Sequence, residues 1–240
     1  MKKASLKILV LLLLISCKKK VQVDFSEDII ETSEGADIAL NFPKAEGTNE
    51  VTNRINQTLK NYIIKQINVS ENDDTNGNLK DAVATFNNDY KSFKNDFPDS
   101  TQQWEVFIDG EVTYRSPQII GIVITSYLDT GGAHGNTNVR FFNFDPQTGK
   151  QYTKKDLVSN AQGLSEVIEK KLKEDIQAGS GNDVIKDVFF GKDFQFPETI
   201  GYSAEGLIIL YNPYEIASYA QGIVEFTIPF SEVKQFLKIN

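Results

Sequence analysis

The 240-residue sequence contains a single cysteine, Cys17, and a single histidine, His134. One cysteine cannot form an intrachain disulfide, so the fold has to be stabilised by its hydrophobic core. A zinc site usually takes about four ligands, most of them cysteine or histidine, and the sequence does not supply such a set. We therefore expect neither a metal site nor another cofactor.

Basic residues are also scarce, since 25 lysines and arginines face 33 aspartates and glutamates and give a formal net charge of −8. A nucleic-acid-binding protein needs a basic surface, because most of its affinity comes from contacts with phosphates. We therefore expect no nucleic-acid partner. The sequence gives no indication of the oligomeric state.

Residues 8–15 form an unbroken apolar run that is much shorter than the ~20 residues of a membrane-spanning helix. Three lysines precede the run, and this order is typical of a secretory signal peptide. Leu14-Ile15-Ser16-Cys17 then matches the bacterial lipobox, in which the cysteine is lipidated and becomes the new N-terminus. We predict a signal peptide in residues 1–16 and a lipid on Cys17 that anchors the protein to a membrane. The alternative is an ordinary secretory signal with an unrelated thiol.

Residues 17–35 are mostly polar, and we interpret them as a tether with room for a short first strand at residues 21–25. Removal of residues 1–16 would take away three of the 25 basic residues and no acidic residue, so the net charge would change from −8 to −11. A lysine instead of an acidic residue after Cys17 resembles lipoproteins that are sorted to the outer membrane. We therefore expect the protein in the cell envelope, on the periplasmic face of the outer membrane.

The first half of the chain predicts one strand at residues 37–42, ended by Pro43, and two amphipathic helices. Both helices have apolar residues at three- and four-residue steps, which places them on one face. The stripes consist of Val51, Ile55, Leu59, Tyr62, Ile63 and Ile67, and of Leu79, Val83, Phe86, Tyr90, Phe93 and Phe97. The second stripe could line a ligand groove, but we expect both to pack in the core.

The second half predicts strands. Asp109-Gly110 predicts a hairpin turn between residues 104–108 and 111–114. Further strands are expected at residues 118–128, 139–144, 198–203, 207–211 and 223–228. Helices are expected to start at the capping box Thr153-Lys154-Lys155-Asp156, to run through residues 184–190 and to follow Ser231. Together these elements predict an α+β fold, a mostly antiparallel sheet packed by amphipathic helices, in two small subdomains.

A glycine-rich loop, Thr130-Gly131-Gly132-Ala133-His134-Gly135, separates the two strands expected at 118–128 and 139–144. Glycine permits positive φ and lets the backbone come close to a neighbouring group. His134 could act as a general base with Asp129, Asp145 or Glu215 as its partner, and Gly131-Gly132 could form an anion-binding nest. In both cases the alternative is a turn that serves the fold alone.

Other chemistry has less support. The sequence contains no Gly-x-Ser-x-Gly elbow, the usual companion of a Ser-His-Asp triad. A carboxylate pair for glycoside cleavage is conceivable in so acidic a chain, although no pair stands out. Asn212-Pro213 predicts a turn that exposes Tyr214, and tyrosines are frequent at protein and sugar interfaces. The alternative is that Tyr211, Tyr214 and Tyr219 pack beneath a sheet edge.

Two stretches carry a family resemblance. The first signature, residues 127–136, contains Thr-Gly-Gly-Ala-His-Gly and is followed by Phe142-Asn143-Phe144-Asp145 and Thr148-Gly149-Lys150. The second signature, residues 212–222, contains Pro-Tyr-Glu-Ile-Ala and is followed by Ile228-Pro229-Phe230. These stretches resemble the domain of unknown function found in the ectodomain of RsiV-type lysozyme-sensing anti-sigma factors, which also accompanies peptidoglycan deacetylase domains of the PdaC type. In both settings a smaller companion domain precedes it.

After the signal peptide at 1–16 and the tether at 17–35, the resemblance implies the companion domain at 36–115 and the RsiV-like domain at 116–240. It also implies lysozyme as a partner. However, the sequence shows no cytoplasmic sigma-binding segment, no transmembrane helix and no deacetylase domain. We therefore predict a lipid-anchored envelope protein that binds a lysozyme-like protein or a cell-wall glycan without catalysis. The alternative is an envelope hydrolase that acts on cell-wall glycan.

We assign no catalytic residue. The residues expected to form a ligand-binding site come from both signatures: Gly131, Gly132, His134, Asn136, Pro213, Tyr214 and Glu215.

Overall fold

The computed structural model describes residues 23–69, 78–180 and 188–239, with the backbone alone at 175–180 and 188. The strands in these ranges are β1 (Phe25–Thr32), β2 (Asp37–Ala45), β3 (Glu105–Arg115), β4 (Ile120–Asp129), β5 (Asn136–Phe144), β6 (Ile200–Tyr202), β7 (Gly206–Tyr211) and β8 (Val224–Pro229). The α-helices are α1 (Glu50–Ile67), α2 (Leu79–Asp96), α3 (Lys154–Leu157), α4 (Ala161–Ser180) and α5 (Phe230–Val233). The predicted α+β class is confirmed.

The first sheet contains five strands in the order β1-β2-β3-β4-β5. Only β2 and β3 run parallel, because α1 and α2 connect them across one face of the sheet. The predicted apolar stripes of both helices pack into the core on that face, except for Phe97, which follows the end of α2 and is exposed. Asn49 caps α1 by accepting a hydrogen bond from Thr52 N at 3.0 Å, and Asn78 caps α2 in the same way.

The second sheet contains β6, β7 and β8, all antiparallel. The central strand β7 is buried on both faces. Leu207, Ile209 and Tyr211 pack with the apolar face of α4, whereas Ile208 and Leu210 pack against β5. The second sheet therefore lies against the face of β5 that is opposite α1 and α2.

The outer edge of β5 is closed by groups from the second half of the chain. The Asn212 side chain bonds both the N–H and the C=O of Val139, at 2.7 and 3.0 Å. Phe141 N donates to the Thr199 hydroxyl at 3.3 Å, and Asn143 O accepts from Tyr152 N at 2.7 Å. These contacts occupy backbone groups that an edge strand would otherwise leave open. We refer to this line of contacts as the β5 seam.

The hairpin predicted at Asp109-Gly110 is wrong, since both residues lie inside the continuous strand β3. The reason for the glycine is close packing. A Cβ on Gly110 would lie 2.5 Å from Cδ1 of Ile124 and 3.0 Å from Cδ of Pro43. The glycine therefore makes room for neighbouring strands and does not form a turn.

The N-terminal part of the sheet also differs from the prediction. Residues 25–32 of the expected tether form β1, an edge strand that pairs with residues 38–45 of β2. Its acidic residues suit an edge exposed to solvent. Pro43 does not end β2, which continues to Ala45. The pairing of β2 with β3 stops at Asn41, so no β3 residue requires a backbone N–H at the proline.

The expected division between residues 115 and 116 falls between β3 and β4, which pair along almost their whole length. The first sheet ends with β5 at Phe144, and the division into two subdomains stays a prediction. The third helical region is also divided, into α3 and α4, and its capping box is present, with Thr153 N donating to Asp156 at 2.8 Å. The last helix is a single turn, α5, followed by a 3-10 turn.

Two expectations fall partly or wholly outside the described residues. The helix expected at 184–190 is described only from Val188, where a 3-10 turn extends to Gly191. The signal peptide and Cys17 precede the first described residue. Within the described ranges, none of the helices combines the length and the apolar character that a membrane span requires.

Candidate functional site

The glycine-rich loop between β4 and β5 is closed by side chains on both sides. Asp129 accepts a hydrogen bond from Gly131 N at 2.8 Å, and Gln102 donates to Gly131 O at 2.9 Å. Gly131 has φ +87°, which favours glycine, and a Cβ on Gly135 would lie 2.3 Å from the Tyr127 ring. The loop therefore has a defined conformation that depends on its glycines.

This loop presents His134 at the surface. The imidazole stacks on the ring of Tyr219, with 3.6 Å between centroids and 14° between planes. Its Nδ1 lies 3.0 Å from Gly135 O, and the hydroxyl of Tyr219 donates to the same oxygen at 3.0 Å. The tautomer that carries its proton on Nδ1 can donate to this carbonyl, which leaves Nε2 as an acceptor 3.4 Å from the Tyr214 hydroxyl.

His134, Tyr214 and Tyr219 thus form one cluster, which we call the aromatic corner. The rings of Tyr214 and Tyr219 are 5.9 Å apart, centroid to centroid. One member comes from the first signature and two come from the second, across about eighty residues of sequence. The structure therefore brings the two signatures together at one place.

The turn that carries Tyr214 is fixed by hydrogen bonds with β5 and with nearby backbone groups. Asn212 holds it to β5 through the β5 seam, and both Glu215 oxygens accept backbone hydrogen bonds, from Glu198 N at 2.7 Å and Asn212 N at 2.9 Å. Ile216 and Ala217 follow and are buried. Burial raises the pKa of Glu215 above its ordinary value, and the two N–H donors partly offset this rise.

Tyr214 itself is strained and exposed. Its φ of +68° is one that non-glycine residues adopt only at a cost of about 1–2 kcal/mol. Its side chain is nevertheless 56% exposed, so burial of the ring does not explain the conformation. Backbone strain of this kind is concentrated at binding and catalytic sites. The predicted exposure of Tyr214 is confirmed. The left-handed backbone conformation places its ring beside His134.

We expect Tyr214→Gly to be more stable than Tyr214→Ala, by about 1 kcal/mol, because glycine adopts φ +68° without the steric cost that alanine meets. Urea unfolding of the two variants measures the difference. The same pair of substitutions at Asn136, in extended strand β5, should show the opposite order. Equal stability of the two Tyr214 variants would show that the turn does not impose the left-handed conformation.

The carboxylates expected to assist His134 are engaged elsewhere. Asp129 bonds Gly131 N, Asp145 bonds Gln147 N, and Glu215 accepts its two backbone donors. Among the described residues, the hydrogen bonds of His134 lead only to Gly135 O and to the Tyr214 hydroxyl. The imidazole therefore has two hydrogen-bond partners and a stacked ring, and none of the three expected carboxylates is bonded to it among the described contacts.

The other expected site residues differ in exposure and in their hydrogen bonds. The N–H of Gly131 already donates to Asp129, so an anion-binding nest would compete with a carboxylate. Gly132 and Asn136 are exposed beside His134, whereas Pro213 is half-buried. Of the three tyrosines considered together, Tyr211 is fully buried, with its hydroxyl on Gln195 O at 2.9 Å, and burial raises its pKa.

Three residues that sequence reasoning did not place in the site are essential to its shape. Tyr219 stacks on His134, Asn212 fixes the turn to β5, and Tyr127 fills the space left open at Gly135. Asn212 and Tyr219 belong to the second signature, and the sequence also indicated them through the Asn212-Pro213 turn and the group of three tyrosines. The described residues contain no group of three or more side chains suited to a metal ion.

Two family models match consecutive parts of the chain. Residues 29–137 match the family described as Deacetylase PdaC, and residues 153–231 match the family described as Protein of unknown function (DUF3298). The first match covers the first signature and ends at residue 137, near the start of β5, so the aromatic corner contains residues from both matched regions. Each match covers less than half of the chain and shows what that region is similar to.

Solved structures of DUF3298 family members share the fold. A member from Bacteroides fragilis NCTC 9343 is 17% identical, with a TM-score of 0.65, over 91% of this chain and 94% of that one. A family protein from Pseudomonas aeruginosa PAO1 is 18% identical, with a TM-score of 0.59, over 90% and 93%. At this identity the likeness concerns the fold. No curated protein matches the sequence.

Proposed function

We propose that the protein is a cell-envelope binding module, anchored through a lipid on Cys17, that binds a protein of the lysozyme type or a cell-wall glycan at the aromatic corner. The observation that carries the proposal is the strained, exposed Tyr214 held against His134 by residues of both signatures. The proposed binding is non-catalytic, in line with the resemblance to binding ectodomains.

The corner has the physical properties of a recognition site. Tyrosine and histidine rings offer flat apolar faces to a sugar or an aliphatic side chain, together with polar atoms at their rims. The stack on Tyr219 and the fixed backbone at Tyr214 remove freedom before the ligand arrives. Less conformational entropy is then lost on binding.

Charge and resemblance favour a protein ligand of basic character. The chain carries a net charge of −8, and a negatively charged surface attracts a basic partner and speeds its association. The resemblance to RsiV-type ectodomains points to lysozyme, so a protein of the lysozyme type is one of the two proposed ligands. The match to the PdaC family brings cell-wall glycan into the same proposal.

A pull-down and calorimetric titration with lysozyme and with soluble peptidoglycan fragments tests the proposal. We expect one of them to bind, and Tyr214→Ala to weaken the affinity by about tenfold or more, as loss of a central tyrosine does in other interfaces. Tyr214→Gly separates contact from strain, because it lacks the ring but relieves the backbone. Both variants should bind equally weakly.

A control variant and an activity assay complete this experiment. Tyr152→Phe leaves the corner untouched and removes only a hydroxyl that donates to Gln118 O, so its affinity should equal that of the wild type. Failure of the protein to bind either probe would refute the proposed ligands. Release of peptidoglycan fragments by the purified protein, lost in His134→Ala while the variant stays folded, would favour the hydrolase instead.

The anchor is tested separately by cell fractionation. We expect the protein in the membrane fraction and Cys17→Ser in the soluble fraction, because a lipidated cysteine is the attachment point in this proposal. Retention of Cys17→Ser in the membrane fraction would contradict attachment through Cys17, and would leave the proposal for the aromatic corner unaffected.

A further inference from the structure

A concave site lies along the β5 seam. It is a cleft of about 300 Å³ between β5, the start of α3 and the segment that leads into β6. This volume is at the lower end of the range for small-molecule sites, so it suits a compact metabolite and not a folded protein. The polar and aromatic side chains relevant to binding are Arg140, Asn143, Lys154, Phe196, Glu198 and Thr199.

Asn143, in the wall of this cleft, has an unmet hydrogen bond. Its side chain is 96% buried, since only 4% of the residue is exposed. Its Nδ2 donates to Ile200 O at 2.8 Å, which defines the orientation of the amide, and its Oδ1 has no partner. A buried acceptor without a donor is unfavourable, so a ligand N–H or O–H that bonded this oxygen would be stabilised by it.

Lys154 gives the cleft a positive charge that is not neutralised by contact. Its ammonium lies 4.2 Å from the centre of the Phe196 ring, and within the described part of the chain no carboxylate oxygen lies within 4.0 Å of it. Partial burial lowers the pKa of Lys154, and the Glu215 carboxylate partly offsets this. By contrast, Arg140 is paired with Glu198 at 2.7 Å. An anionic group is the complement that Lys154 lacks.

We propose that the cleft binds a small acylamino carboxylate, with the ligand amide N–H donating to Asn143 Oδ1 and the ligand carboxylate paired with Lys154. A neutral donor fits better than an ammonium group, because the cleft also contains Arg140 and Lys154. The acyl part of the ligand would lie along the apolar wall formed by Leu157, Phe196 and Pro197. N-acyl amino acids, dipeptides and acetylated sugar acids all share this chemistry.

Calorimetric titration of the purified protein tests the inference with matched probes. The acids are N-acetyl-alanine in both enantiomers, alanyl-alanine and N-acetylmuramic acid, whereas N-acetyl-alanine methyl ester and N-acetylglucosamine keep the amide without the carboxylate. We expect at least one acid to bind more tightly than its uncharged counterpart. Lys154→Met keeps the aliphatic contact with Phe196. It should lower the affinity for that acid by about tenfold or more and leave the affinities for the neutral probes unchanged.

Lys155→Met is the control, since Lys155 is an exposed neighbour that does not line the cleft. Equal affinities for acid and ester, equal effects of Lys154→Met and Lys155→Met, or no binding of any acid at millimolar concentration would each overturn the inference. In the last case a water molecule would be the partner of Asn143 Oδ1. Tyr214→Ala should not change binding in the cleft, so failure here and failure at the aromatic corner are distinguishable.

Discussion

Gly149→Ala is expected to lower the free energy of unfolding by about 2–5 kcal/mol, through left-handed backbone strain and overpacking. Gly149 ends the turn after β5 with φ +68°, which disfavours any side chain. A Cβ there would also lie 2.3 Å from the carbonyl oxygen of Val51 and 2.9 Å from its Cα. These are backbone atoms in the first turn of α1, so relief would require moving the helix that covers the main core.

Urea or thermal unfolding measures the effect of Gly149→Ala. In thermal unfolding the melting temperature should fall by about 10 °C. Gly132→Ala is the matched control, because a Cβ at Gly132 would have no neighbour closer than 3.8 Å. Its stability should lie within about 0.5 kcal/mol of the wild type. If the two variants unfold alike, the turn is not packed against α1 in the way described.

Asn212→Leu is expected to cost about 2–4 kcal/mol, because it leaves two backbone groups of Val139 without partners. The leucine keeps the branched shape of asparagine, with bulkier methyl groups, but offers neither the donor nor the acceptor that meets Val139. Since Asn212 also connects the second signature to β5, its loss should loosen the turn that holds Tyr214. The β5 seam and the aromatic corner should therefore weaken together.

A graded comparison tests this account of the β5 seam. Thr199→Val removes a single, longer hydrogen bond, that from Phe141 N at 3.3 Å, and should cost clearly less than Asn212→Leu. Urea unfolding gives both values, and hydrogen exchange should show faster exchange at residues 139–141 in both variants. A loss in Asn212→Leu no larger than in Thr199→Val would mean that the seam does not depend on Asn212.

The sequence predicts the helices and central strands well, because these elements depend on local periodicity. The stripe from Val51 to Ile67 has only one helical interpretation, and Asn49 provides a cap beside it. The β4–loop–β5 unit is predicted from an apolar run, three glycines and a returning strand. Fold class follows from these elements without any knowledge of contacts between distant residues.

The errors arise where a residue serves a distant partner. Asp109-Gly110 has the composition of a turn, yet Gly110 is small because Ile124 and Pro43 approach it from two other strands. The acidic segment 25–32 is too polar to indicate a strand and forms one because β2 offers a complete partner edge. Neither fact is encoded within a few residues of the site concerned.

The candidate site could be predicted in part for the same reason. Both signatures identify segments of interest, and the Asn212-Pro213 turn predicts that Tyr214 is exposed. The contact between His134 and the two tyrosines could not be predicted, because it depends on how the second sheet lies against β5. The role of Glu215 as an acceptor of backbone hydrogen bonds also depends on that packing, since one of its two donors is Glu198 N.

The central claim is that the two signatures form one binding site. Hydrogen–deuterium exchange of the purified protein, with and without lysozyme and peptidoglycan fragments, tests it most directly. The account predicts that a ligand slows exchange at residues 130–136 and 212–221 together, and that Tyr214→Ala abolishes the change in both segments. Protection of only one of these segments, protection confined to other parts of the chain, or no protection with either probe would contradict the claim.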